Sequence, residues 1–299
     1  MRVHDDIDVH KSAVTSLPAT TRIVHAHLRI SDLRKSIAFY RDLIGMTLLS
    51  SDRSSAILAG APGNQAVLFL SEESDARPRD PRTPGLFHIA LLYPDRSDLA
   101  LVFTRLNEHR WPFRGFADHG VSEALYLADP DGNGIELYRD KPREEWPLRN
   151  GNLEMVTEPL DIDDLLADLP SGKLAPSGNT PRITIGHMHL QVSDLHKAEQ
   201  FYHTILGFDV TQRNLPGALF LAAGGYHHHI GLNVWNSRGA RPSPQRTLGL
   251  GGFALHLGDP SAAIHIADRS RPTLYWAGES ERGFFLQDGD GLQIEILYI

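Results

Sequence analysis

The sequence predicts an α+β protein of four tandem units, each a strand, a helix and then more strands, and three observations carry that prediction. VHAHLRISDLRKSIAFYRDLIGM (24–46) aligns without a gap on GHMHLQVSDLHKAEQFYHTILGF (186–208). His25, His27, Asp32, Tyr40 and Gly45 recur 162 residues later as His187, His189, Asp194, Tyr202 and Gly207. DPDGNGIELY (129–138) recurs as DGDGLQIEIL (288–297), which pairs Glu136 with Glu295. The third observation is that the order strand, helix, strands occurs twice inside each copy. The chain is therefore a repeat of a repeat.

Each element has a local reason. VHAHLRIS alternates and is rich in branched residues, as a strand requires. SDL opens a helix with Ser31 or Asp32 as its cap. Leu33, Ile37, Tyr40 and Ile44 fall three and four apart, which makes one apolar helical face, and Gly45 closes it. SSAILAG and QAVLFLSE read as strands. The scheme then restarts with GLFHIALLYP as a strand, SDLALVFTRLNEHR as a helix, and ALYLADPDGNGIELYRD as a hairpin around Asp-Gly-Asn-Gly. The expected division is a polar leader (1–21), a first domain (22–140), a connector (141–182) and a second domain (183–299). A short helix is expected in the connector at DIDDLLADL.

Composition narrows the function. Hydrophobic residues are 41% and charged residues 22% of 299, so a packed core is expected. No apolar run is long enough to span a bilayer, and the first twenty residues do not read as a signal peptide. The chain has no cysteine, which excludes disulfides, thiolate metal sites and cysteine nucleophiles and fits a cytoplasmic protein. A net charge of −8 without a basic cluster argues against nucleic-acid or membrane-surface partners. Histidine is plentiful, at 16 residues, so its placement matters.

His25 and His27 lie two apart on one strand and share a face. His88 interrupts the apolar run of GLFHIALL in the corresponding strand of the next unit. Glu136 stands between Ile135 and Leu137, which point the other way. Two imidazoles and a carboxylate converging in a cavity would suit Fe(II) or Mn(II) with open coordination positions. A lone strand histidine is more often a core or surface residue than a ligand, and a hairpin glutamate often faces solvent. The combination is what singles them out.

These segments resemble the vicinal oxygen chelate superfamily, which holds glyoxalase I, bleomycin-resistance proteins and extradiol ring-cleaving dioxygenases. The resemblance covers nearly all of 22–140 and 183–299. DHGVSEALYLADPDGNGIELYRDKP (118–142) and GGYHHHIGLNVWN (224–236) look like the two-domain, catechol 2,3-dioxygenase-like branch. The implied fold pairs βαβββ modules into two domains, each with a curled mixed sheet around a cavity. The implied metal ligands are His25, His88 and Glu136. The matching positions of the second copy are His187, Gly252 and Glu295, and glycine cannot coordinate, so that cavity is expected to be incomplete. Tyr126, ten residues before Glu136, falls where ring-cleaving members carry an active-site tyrosine, and the second copy has Phe285 there.

Those members also use a histidine on a late strand of the module that supplies the first ligand. The first copy has GNQAVLFLSE there, without one, whereas the second has His227, His228 and His229. His119, before Tyr126, is the substitute acid or base. The three-histidine run reads equally as exposed or interfacial residues and as a vestigial or alternative metal site with His187 and Glu295. Phe87, Trp111 and Phe113 are candidate cavity walls, with core packing the competing role. The function implied is an Fe(II)-dependent extradiol dioxygenase, with Mn(II) as the other metal and O₂ as co-substrate. Its partner is a small aromatic catechol- or hydroquinone-type diol, and a homo-oligomer is compatible with the scaffold. Two readings compete: a glyoxalase-like metal-dependent isomerase or lyase, and a non-enzymatic binder that sequesters a planar compound.

Overall fold

The computed structural model describes residues 16–169, 181–243 and 246–298. Most of the expected polar leader and part of the connector (170–180) lie outside the described residues. Four modules follow one another. The first holds β1 (Arg22–Ile30), β2 (Thr47–Ser51), β3 (Ser55–Ala59) and β4 (Ala66–Glu72). The second holds β5 (Gly85–Leu92), β6 (Phe113–Asp118), β7 (Ser122–Ala128) and β8 (Gly134–Asp140). A small ribbon, β9 (Leu148–Arg149) and β10 (Asn152–Leu153), lies in the connector. The third module holds β11 (Thr184–Gln191), β12 (Asp209–Gln212), β13 (Ala218–Ala222) and β14 (Ile230–Asn233). The fourth holds β15 (Gly249–His256), β16 (Trp276–Ser280), β17 (Gly283–Gln287) and β18 (Gln293–Leu297).

Each module has one helix after its first strand: α1 (Leu33–Ala38), α2 (Arg96–Glu108), α4 (Leu195–Glu199) and α5 (Pro260–Ser270); α3 (Ile162–Ala167) is the connector helix. Asp32 and Asp194 cap α1 and α4 by accepting from backbone N–H groups two or three residues on. Both helices then widen into a π-turn, Phe39–Ile44 and Gln200–Ile205. The widening puts neighbouring Phe39 and Tyr40, and Phe201 and Tyr202, into the core together. Gly45, at φ 95°, ends the first one in the left-handed conformation that a Cβ would disfavour.

The strands form two eight-stranded mixed sheets, β16-β17-β18-β15-β1-β4-β3-β2 and β12-β13-β14-β11-β5-β8-β7-β6. This corrects the expected pairing within each copy. Module one joins module four, and module two joins module three. At both seams two first strands run antiparallel, β1 against β15 and β5 against β11. The reason is geometric: every first strand has the same alternation and offers the same edge. Local sequence does not distinguish the neighbouring module from the distant one. A large apolar core runs through both sheets, from Ile23 and Leu28 to Ile294 and Ile296, with a small second cluster of Ala90, Ala124 and Tyr138.

The repeated aspartate loops join modules across the sheets. Tyr40 donates its hydroxyl proton to Asp129 Oδ2 at 2.9 Å, and Tyr202 does the same to Asp288 Oδ2 at 3.0 Å. The other oxygen of each aspartate accepts two backbone N–H groups of its own turn.

Candidate metal centre and substrate cavity

The second sheet carries the site. β5 places His88, β8 places Glu136 and β11 places His187. His189 stands opposite His88 in the β5–β11 ladder, and Ala90 is opposite His187. Period-two alternation sends Ile89, Leu91, Ile135 and Leu137 into the core and turns His88, Glu136 and His187 to the other face. Glu136 is only 2% exposed, so the solvent-facing reading of this residue does not hold.

One ligand atom from each of His88, Glu136 and His187 lies within 4.8 Å of the other two. His187 Nε2 is 3.1 Å and His88 Nε2 2.9 Å from the same oxygen, Glu136 Oε2. Two adjacent ligands, each about 2.1 Å from a first-row ion, stand about 3 Å apart. His88 Nε2 is buried and, although close to Glu136, makes no hydrogen bond among the described residues. A buried nitrogen beside a carboxylate oxygen and a second imidazole, left without a hydrogen bond, is what a bound cation would account for. Burial holds His187 neutral, its pKa lowered to about 4. Burial opposes charge on Glu136 too, but His187 and His88 beside it keep its carboxyl well below the usual range. A neutral imidazole at His187 and a carboxylate at Glu136 are the forms of these two groups that bind a metal.

His25 does not join this group. It lies in the first sheet, opposite Ala254, with Nε2 3.8 Å from Glu295 Oε2. It lines a separate cavity of about 180 Å³ with His27, Gly252, Phe285 and Glu295. The expected set His25, His88 and Glu136 is therefore divided between two sheets. His187, assigned from sequence to the incomplete cavity, stands with His88 and Glu136 instead. The incomplete set is His25, Gly252 and Glu295.

The cavity over His88, Glu136 and His187 has a volume of about 600 Å³. Phe87, Phe220, Trp235 and His189 form much of its wall. Trp111 and Phe113 are not among its lining residues. Trp111 packs on Phe39 at 4.8 Å and donates its indole N–H to Ala128, while Phe113 stacks on Phe103. Tyr126 and His119 do reach the cavity, and they reach it together. Tyr126 Oη is 2.7 Å from His119 Nε2, while His119 Nδ1 is 2.8 Å from the carbonyl of Val156. That carbonyl can only accept, so Nδ1 carries a proton. With a neutral ring, Tyr126 donates to Nε2. Burial, and then the charge of Glu136, push the Tyr126 phenol well up, so it is a neutral O–H donor.

The three-histidine run is buried, contrary to the exposed reading. His227, His228 and His229 are 0%, 8% and 8% exposed. His228 lines the same cavity, with its ring 4.1 Å from that of His187. Burial and the neighbouring imidazoles keep it neutral. His187, His228, Phe220 and Trp235 were all present in the sequence, but their meeting with module two was not. The spacing from His187 to the histidine run was the signal for His228, once His187 is known to be in this group.

A family model described as the Glyoxalase/Bleomycin resistance protein/Dioxygenase superfamily matches residues 22–137 and 184–296. The chain belongs to that superfamily. It is 42% identical to the catechol-2,3-dioxygenase of Bacillus subtilis over 92% of this chain and 96% of that one. A biphenyl-2,3-diol 1,2-dioxygenase of Rhodococcus globerulus is 29% identical over 45% of this chain and 73% of its own length. Similarity to a dioxygenase along nearly the whole length puts the chain in the extradiol dioxygenase branch of the superfamily. Solved structures share the fold at lower identity. A putative dioxygenase from Bacillus subtilis superposes with a TM-score of 0.61 at 14% identity, covering 95% of this chain and 86% of that one. Glyoxalase I from Zea mays gives 0.55 at 18%, covering 93% and 92%. Among the described residues, no helix is long and apolar enough to cross a membrane.

Proposed function

We propose that this protein is a non-haem Fe(II) extradiol dioxygenase that opens a catechol-type aromatic diol, with His88, Glu136 and His187 holding the metal. The observation that carries this is the convergence of those three side chains at the floor of an aromatic cavity that also contains Tyr126, His119 and His228. Iron bound there would bring diol and O₂ together and supply the one-electron chemistry that their reaction requires. The remaining work belongs to the chain. Phe87, Phe220 and Trp235 provide flat apolar surface for a ring. Neutral His228 can accept a hydroxyl proton as the diol binds. Once His119 takes up a proton it donates to the Tyr126 oxygen, which frees the tyrosine O–H for a substrate oxygen that gains charge. His189, with an unpartnered buried Nε2, is a further polar contact for a ring substituent.

The test is metal analysis of anaerobically purified protein, followed by oxygen uptake with a panel of catechols and hydroquinones. About one iron per chain and a yellow ring-opened product are expected. An iron-loaded protein that consumes no oxygen with any diol would move the assignment to the isomerase or binding activities of the superfamily.

A further inference from the structure

Behind the cavity wall, His228 leads into a buried hydrogen-bonded chain. His228 Nδ1 is 2.8 Å from His227 Nδ1, and His227 Nε2 is 2.9 Å from Asp140 Oδ1. Tyr226 Oη donates to Asp140 Oδ2 at 3.0 Å and lies 2.8 Å from Tyr138 Oη. Its ring packs at a tilt against His227, with centroids 4.0 Å apart. His227 is wholly buried, whereas the Asp140 side chain is 28% exposed, so the chain runs from the cavity toward the surface. Asp140 ends β8, the strand that also carries Glu136.

We infer that Asp140 and His227 are positioning residues that fix the tautomer of His228, so that its Nε2 faces the cavity as a hydrogen-bond acceptor. A carboxylate has no proton to give, so His227 must donate from Nε2. A neutral His227 then has a bare Nδ1, which can only accept. His228 must therefore donate from Nδ1, and its second nitrogen is left with its lone pair. The order is set from the surface inward, as a carboxylate sets the tautomer of an imidazole elsewhere. The Tyr226 hydroxyl spans both oxygens of Asp140, 3.0 Å from Oδ2 and 3.2 Å from Oδ1, and so fixes the carboxylate that His227 meets at Oδ1. None of these three side chains reaches the cavity itself, since Asp140, His227 and Tyr226 are absent from its lining. The inference deepens the proposed function, because an acceptor at Nε2 is what an incoming diol hydroxyl needs.

The decisive measurement is nitrogen-15 NMR of histidine side chains in metal-free protein, with the His228 signals assigned through His228→Gln. His228 is expected as the Nδ1–H tautomer in the unaltered chain. In Asp140→Asn the Nε2–H form should appear. In the iron-loaded enzyme the same change should lower kcat for catechol about tenfold or more, with iron content unchanged and KM little affected. His227→Gln, whose carbonyl can still accept from His228, should retain more activity than His227→Leu. An Nε2–H tautomer in the unaltered chain would overturn the inference, and so would Asp140→Asn with tautomer and kcat unchanged. If the unaltered iron-loaded protein took up no oxygen with catechol, the functional proposal would fail, while the tautomer measurement would still decide this one.

Discussion

His187 and His25 are the same residue of the repeat, yet only His187 lies beside His88 and Glu136. Substituting each with alanine should therefore give opposite results. His187→Ala is expected to lower iron affinity at least about 100-fold, since even an outer-shell partner of a ligand is worth ten- to a hundredfold. His25→Ala should leave iron content at its normal level, as read by metal analysis of both folded variants. Tyr126→Phe tests the chemistry instead of the metal. The counterpart Phe285 shows that the hydroxyl is not needed to fill this volume beside the glutamate strand, where each ring residue pairs with its glutamate in the ladder. The variant should keep its iron and lose about ten- to a thousandfold in turnover, because a hydrogen bond that forms mainly in the transition state is removed. Unchanged oxygen uptake would make Tyr126 a packing residue.

The strand elements explain why the second cavity is not simply one mutation from being complete. Where β5 carries His88, its neighbour on β8 is Gly134, and a Cβ there would lie 2.0 Å from the Phe87 carbonyl and 3.1 Å from the His88 Cβ. At the matching crossing the sizes are exchanged, with Gly252 on β15 beside Gln293 on β18. A Cβ on Gly252 would lie 2.7 Å from the backbone oxygen of Gln293. Gly252→His is thus expected to cost about 1–3 kcal/mol in denaturant unfolding, the usual penalty of overpacking. It should leave the iron stoichiometry at one; a second equivalent of bound iron would show that the strand can shift to admit the side chain. The aspartate loops are elements of another kind. Tyr40→Phe removes a donor from buried Asp129 and should destabilise by about 2 kcal/mol, since a hydrogen bond to a charged group is lost.

At the scale of the molecule, each sheet takes one module from each copy, so neither copy can lose its order without exposing the seams of the other. Thermal or denaturant unfolding of the whole chain should therefore be a single transition. Two separated transitions would mean that the copies are independent. Because His88 and His187 come from different copies, a metal bound at His88, Glu136 and His187 would tie the copies together. Adding Fe(II) anaerobically at about 100 times its Kd should raise stability by about 2.7 kcal/mol, as expected for a ligand of the folded state only. A chelator should reverse the gain, and His187→Ala should cut it to about 0.4 kcal/mol or less.

The sequence by itself determined the duplication, the module pattern and the residue types of the site. Alternation, helical spacing, aspartate caps and the Asp-Gly turns are local, and a local signal survives whatever the modules do next. His88, Glu136 and Tyr126 were legible because each breaks an apolar pattern or differs from its counterpart in the repeat. The division of His25 from His187 was not legible, because both occupy the same place in identical strand patterns and either could meet β5. Only the β5–β11 seam decides between them, and it is a pairing across roughly a hundred residues of intervening chain. The same holds for His228, which reaches the cavity because module three is there, and for Trp111 and Phe113, which helix packing claims first. Strand parity decides which face a side chain takes; which strand lies alongside is decided by the packing of the whole chain.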